Sequence, residues 1–178
     1  MKLKAELLDE TGFQRMLGRM AHQIIEKTVE DKEVILVGIR SRGVPMAQRL
    51  SAKIEEFEGV KIPVEVLDIT LYRDDLSTIG DSPIVTQKTD AFDVTGKTVI
   101  LVDDVIYTGR TTRAAMDAVT AMGRPAKIML AALADRGHRE LPICANFVGK
   151  NFPTSRSEVI EVHFKEIDGK DNIELYEK

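Results

Sequence analysis

Apolar residues recur at helical spacing in Phe13, Met16, Leu17, Met20, Ile24 and Ile25, and Thr11 stands where a cap belongs. Residues 11–29 therefore predict an amphipathic helix whose polar face carries Arg15, Arg19 and His22. The run Val34 to Ile39 is apolar on both faces, as in a buried parallel strand. A loop, Arg40-Ser41-Arg42-Gly43, separates it from a helix predicted over 44–57, with Pro45 in the first turn and Met46, Leu50, Ile54 and Phe57 on the apolar stripe. A second strand is expected over 63–71, where Val64, Val66 and Ile69 are among the apolar members. From Tyr72 to about Thr95 the period is lost among Asp74, Asp75, Ser77, Gly80, Asp81, Ser82 and Pro83, and so long an irregular stretch is usually functional or mobile. A third strand over 98–103 leads through Gly109 to a helix over 110–122 that ends at Gly123, and a further strand is expected over 127–134. Strands that alternate with helices in this way predict an α/β fold with a mainly parallel central sheet.

A chain of 178 residues is long enough for one domain with a continuous core, here residues 1–178. Its 43% hydrophobic and 30% charged residues fit a globular protein and exclude a disordered one. No apolar run nears the roughly 20 residues that span a bilayer, so no membrane partner is expected. Met1 to Glu6 lack an apolar leader and Cys144 has no internal partner, which together predict a cytoplasmic protein. The net charge of −4 is unevenly distributed. Between Arg124 and Arg156 six bases face two acids, so the rest of the chain carries −8, and a basic patch on an acidic protein is possible.

The stretch Val99-Ile100-Leu101-Val102-Asp103-Asp104-Val105-Ile106-Tyr107-Thr108-Gly109-Arg110-Thr111-Thr112 is the most informative. A buried strand delivers two adjacent carboxylates to its C-terminal edge, where open α/β sheets place ligands. Hydroxyls and Gly109 follow at a helix start, whose free N–H groups attract a phosphate. Carboxylates accept hydrogen bonds from vicinal hydroxyls, so the pair and the loop match a ribose bearing a 5′-phosphate. The loop is neither a Walker loop nor a dinucleotide fingerprint, since it lacks Gly-Lys-Ser/Thr and spaced glycines.

Strand and loop together resemble the phosphoribosyl pyrophosphate (PRPP) signature of type I phosphoribosyltransferases. The resemblance implies that fold, with a flexible loop and a small hood region beside the sheet. It also implies that Asp103 and Asp104 bind the ribose hydroxyls, that Thr108, Gly109, Arg110, Thr111 and Thr112 form the phosphate loop with Tyr107 also in the PRPP site, and that Mg²⁺ accompanies PRPP near the two acids. Several purine-specific relatives carry an acidic base where this chain has Tyr107. Gly38 to Gly43 resembles the family's pyrophosphate loop, with Ser41 and Arg42 as donors, and the family often holds a peptide of this loop cis. Asp68 to Leu76 resembles its flexible catalytic loop, which implies that Arg73 contacts pyrophosphate on closure.

Residues 69–76, the turn Ala134-Asp135-Arg136-Gly137-His138-Arg139-Glu140-Leu141-Pro142 and the segment 149–155 make the chain similar to the bacterial pyrimidine-operon regulator family, PyrR. The likeness runs from about residue 5 to the last strand. That family joins uracil to PRPP to give UMP and binds pyrimidine leader mRNA, promoting transcription attenuation in response to UMP or UTP. The resemblance implies a uracil site at Ala134, Asp135, Arg136, Gly137 and His138, and a homodimer or homotetramer. RNA contacts are expected from Arg15, Arg19, His22, Arg139, Lys150 and Arg156. Cys144 stands where the family commonly has an arginine, and Tyr107 is no carboxylate. Two other readings stay open: a uracil phosphoribosyltransferase without an RNA role, and a nucleotide sensor without turnover.

Overall fold

In the computed structural model, residues 1–70 and 91–178 are described. Five parallel strands form the central sheet: β2 (Val34–Ile39), β3 (Val64–Leu67), β4 (Thr98–Ile106), β5 (Lys127–Asp135) and β6 (Phe147–Asn151), in the order β3-β2-β4-β5-β6. A smaller antiparallel sheet, ordered β1-β8-β7, joins β1 (Lys2–Leu8), β7 (Glu158–His163) and β8 (Asn172–Glu177). Four helices accompany these strands among the described residues: α1 (Glu10–Thr28), α2 (Gly43–Glu58), α3 (Arg110–Met122) and the single turn α4 (Lys165–Asp168).

The period-two alternation of the strands divides the core. Ile100 and Val102 of β4 turn toward α1 and α2 with Phe13, Leu17, Met20, Met46 and Leu50, whereas Val99 and Leu101 turn toward α3 with Ala115, Ala118 and Val119. Burying a large apolar side chain such as Phe13 or Leu17 stabilises by about 1.5–3 kcal/mol, so these faces fix the strand register. Ile160, Val162 and Ile173 of the small sheet, with Phe164 just before α4, belong to the same cluster as α1 and α2, which ties the hood to the main body.

The α1 cap is Asp9, not Thr11: its Oδ1 accepts the Gly12 N–H at 2.8 Å, so the helix opens at Glu10. The strand expected over 63–71 shortens to Val64–Leu67, because the Asp68 carboxylate bonds the Thr70 N–H and hydroxyl and turns the chain away. Residues 71–90 of the irregular stretch, with Arg73, lie outside the described residues. Phe57, expected on the core stripe of α2, is 38% exposed and stacks on His22 with ring centroids 4.2 Å apart.

Two features place the site. β4 runs to Ile106 rather than ending at Asp103, yet its pairing with β2 stops at Val102↔Gly38. The chain winds from β2 to β3 in one direction and from β4 to β6 in the other, so the crevice between the ends of β2 and β4 is the topological switch point.

Candidate active site

Asp103 and Asp104 sit on the part of β4 that outruns β2. With Ile39, Arg40, Asp68, Ile69, Thr70, Val105 and Thr111 they line a cleft of about 270 Å³. The backbone N–H of Asp104 donates to Asp103 Oδ1 at 3.0 Å, and that of Val105 donates to Asp104 Oδ1 at 2.9 Å. Burial raises the Asp103 carboxyl well above the ordinary aspartate range, and the neighbouring Asp104 charge adds to it. Burial raises Asp104 as well, although hydrogen bonds and the Arg42 charge pull against it. Two crowded, desolvated carboxyls are poised for hydroxyl donors or a cation.

Beyond them the chain turns through Thr108 and Gly109 into α3. Gly109, at φ 91°, is the α3 N-cap and brings no side chain to the first-turn N–H groups. No acid occupies that turn, the Arg110 N–H donates to Thr108 Oγ1 at 3.3 Å, and the positive end of the helix dipole suits an anion. Thr111 lines the cleft and Thr112 is buried. Tyr107 lies under the Arg136 guanidinium, 4.1 Å from ring centroid to its carbon, and meets His138 edge-on at 5.9 Å.

The opposite wall is the loop between β2 and α2. The Arg40–Ser41 peptide is cis, and Arg42 becomes the α2 N-cap. A Cβ on Gly43 would fall on the Val102 carbonyl oxygen and 3.5 Å from the Asp103 Cα, so glycine lets this loop press against the carboxylate strand. Ser41 is exposed, and Arg42 bonds Asp168 through Nη2 at 2.9 Å.

The predicted base turn follows β5, whose Asp135 pairs with Ile106 at the end of β4. Asp135, Arg136, Gly137, His138, Asn151, Pro153 and Thr154 surround a second cavity, of about 410 Å³. Ala134 is buried in the strand below. Gly137 and His138 both take positive φ, 79° and 61°, and His138 Nε2 lies 2.6 Å from the Thr154 carbonyl oxygen. Arg136 is only 6% exposed and donates to the Glu158 carbonyl at 2.6 Å, so it braces the turn. Asn151, Pro153 and Thr154 were not among the expected base-site residues. Their only sequence signal was the resemblance in 149–155.

The turn is also tied to the loop that leads into α3. The Glu140 N–H donates to the Thr108 carbonyl at 2.9 Å, and Arg110 Nε meets Glu140 Oε2 at 2.9 Å. Arg139, expected on an exposed basic face, turns inward instead. It donates to the carbonyls of Tyr107 at 2.7 Å and Ile143 at 2.9 Å and to Asp135 Oδ2 at 2.5 Å, because the turn supplies acceptors that match its fork. Arg15, His22, Lys150 and Arg156 are exposed. Arg19 reaches from α1 to the Val148 and Gly149 carbonyls of β6.

Among the described residues, no cluster of three or more His, Cys, Asp or Glu could hold a metal. Two adjacent carboxylates, neither in a salt bridge among the described residues, suit a Mg²⁺ whose other ligands are substrate oxygens and water. No described helix is long and apolar enough to cross a membrane.

The sequence model of the phosphoribosyl transferase domain family matches residues 4–165. Solved structures share the fold at low identity. A hypoxanthine-guanine phosphoribosyltransferase from Bacillus anthracis aligns with a TM-score of 0.73 and 20% identity over 98% of each chain. A hypoxanthine phosphoribosyltransferase from Trypanosoma cruzi, in a ternary substrates complex, aligns with a TM-score of 0.76 and 17% identity over 98% of this chain and 96% of its own. Among curated proteins, the bifunctional protein PyrR of Clostridium perfringens is 57% identical over 99% of both chains. That of Thermus thermophilus is 56% identical over all of this chain and 98% of its own. Identity at that level over the whole length, on a phosphoribosyltransferase fold with its acid pair at the switch point, places this chain in the PyrR family of phosphoribosyltransferases.

Proposed function

We propose that one nucleotide site serves both activities of this protein: transfer of a phosphoribosyl group from PRPP to uracil, giving UMP, and uridine-nucleotide-dependent binding of pyrimidine leader mRNA, which causes transcription attenuation. The observation that carries this reading is the pair Asp103 and Asp104 in a cleft between a helix N-terminus and the pyrophosphate loop. Asp103 and Asp104 accept the ribose hydroxyls, and the N–H groups and hydroxyls from Thr108 to Thr112 hold the 5′-phosphate. Ser41, Arg42 and Arg73 contact the pyrophosphate. When bound, Mg²⁺ supplies positive charge to the departing pyrophosphate, and Asp103 and Asp104 lie where they would help hold it.

Uracil enters the cavity beside Asp135 to His138, where backbone groups fixed by Arg136 and Arg139 read its edge. With Tyr107 in place of an acid, the reaction relies on stabilising the leaving group and an oxocarbenium-like sugar rather than on strong base catalysis. UMP or UTP occupies the same cleft and favours the subunit arrangement that binds RNA, in a cytoplasmic homodimer or homotetramer. Arg15, Arg19, His22, Lys150 and Arg156 contact the RNA, and Arg139 acts through the turn it braces.

A pyrimidine-leader hairpin should be retained on a filter more tightly with UMP than without it, and retention should weaken steeply as salt rises. No retention at low salt with UMP present, from a protein that still forms UMP, would leave the enzyme alone and remove the regulator.

A further inference from the structure

A short carboxyl-terminal turn lies against the pyrophosphate loop. Arg42 Nη2 donates to Asp168 Oδ1 at 2.9 Å across 126 residues of sequence. The other Asp168 oxygen, Oδ2, accepts the Phe164 N–H at 3.0 Å, so this carboxylate cannot swing freely. The turn is itself fastened to α2. Arg49, seven residues after Arg42 on the same side of the helix, bonds Glu166 at 2.8 and 2.6 Å and the buried Asp171 at 2.8 Å. Its guanidinium lies 5.8 and 5.4 Å from the Phe13 and Phe164 ring centroids. The Lys165 N–H closes the turn on Asp171 at 2.8 Å. Arg42 is thus gripped from a rigid platform.

The grip is incomplete. Arg42 Nε is buried and has no hydrogen-bond partner among the described residues. The Arg42 fork is thus held but keeps an unfilled donor, as does Arg49 Nη1 in the platform, and of the two only Arg42 belongs to the loop that walls the cleft. A free arginine side chain gives up rotamer entropy when it is immobilised, and an arginine already held gives up less on binding.

We propose that Asp168 is a positioning residue for PRPP, holding the Arg42 guanidinium ready for pyrophosphate. This rests on the reading of Arg42 as a pyrophosphate ligand, and the sign of the effect makes it testable. A carboxylate near an anion site repels the anion, so if Asp168 acted through its charge alone, removing it would tighten PRPP binding. If it acts by positioning, removing it weakens binding.

The experiment is steady-state kinetics of UMP formation by the full-length protein carrying Asp168→Ala, Asp168→Asn, Arg42→Ala or both alanines, with thermal unfolding of each. Asp168→Ala is expected to raise the KM for PRPP about fivefold to twentyfold and to change kcat less than about threefold. Asp168→Asn keeps an acceptor of the same shape and should fall between it and the unsubstituted protein. In the Arg42→Ala background, Asp168→Ala should add nothing to the KM for PRPP, since the two residues form one unit. An unchanged or lowered KM in both Asp168 variants, with Arg42→Ala still raising it, overturns the positioning role and leaves the site reading intact. An unchanged KM in Arg42→Ala overturns the pyrophosphate role of Arg42 and the inference with it.

Discussion

Asparagine in place of both Asp103 and Asp104 should lower kcat/KM for UMP formation by about 10²–10⁴-fold while making the ligand-free protein more stable at neutral pH. The kinetic loss follows from two charge-assisted hydrogen bonds to the ribose, each contributing about 1.5–3 kcal/mol, with a factor of ten for every 1.4 kcal/mol. The gain in stability follows from burial. Both carboxyls are held above the ordinary aspartate value of 3.8, Asp103 by burial and then by the Asp104 charge, Asp104 by burial. A carboxyl whose pKa is raised on folding binds its proton more tightly in the folded state. Folding stability therefore falls as pH rises from the unfolded value through the folded one. Asparagine carries no such proton, so the double variant escapes that loss. Each kcal/mol recovered raises the unfolding midpoint by about 2–4 °C. Thermal unfolding at pH 7 and below pH 4, beside the kinetic assay, checks both halves. The midpoint difference should shrink in acid. A variant that is less stable at pH 7 and keeps its activity contradicts the account.

Alanine at Gly43 should destabilise the protein by about 3 kcal/mol and abolish measurable turnover. Its added methyl meets main chain, the carbonyl of Val102, and no change of rotamer relieves that contact. The start of α2 must then move off β4, carrying Ser41 and Arg42 away from the acids. Overpacking of this kind costs about 1–3 kcal/mol even where side chains can shift, and backbone cannot shift as easily. Denaturant unfolding and the UMP assay measure the two effects. An unchanged midpoint with intact turnover would show that the close approach of loop and strand is not needed.

The reach of the sequence differed between parts of the molecule for physical reasons. The elements β2, α2, β4, α3 and β5 were legible because their apolar residues follow periods of two or 3.6, and because Gly109 and Gly123 mark the ends of α3. The turn from β4 into α3 was legible because Asp103 to Thr112 are contiguous. β4 was read too short, since acids interrupt its apolar run just where it leaves β2 and begins to serve the cleft. β1 gave little signal because it is exposed along most of its length and pairs with β8, at the other end of the chain.

Side-chain partners were the least legible part. Arg139 and Arg136 look like surface cations in a polar turn, and only the fold shows that carbonyls of Tyr107 and Glu158 receive them. Asp168 had no local mark at all, since its partner Arg42 is brought to it by packing of the hood on α2.

The most direct measurement is a crystal structure of the protein with PRPP, or a stable analogue, and Mg²⁺. The ribose hydroxyls should lie within hydrogen-bonding distance of Asp103 and Asp104, with the 5′-phosphate against the N–H groups at the start of α3. A sugar phosphate bound elsewhere, with both acids turned to protein partners, would contradict the assignment of the site.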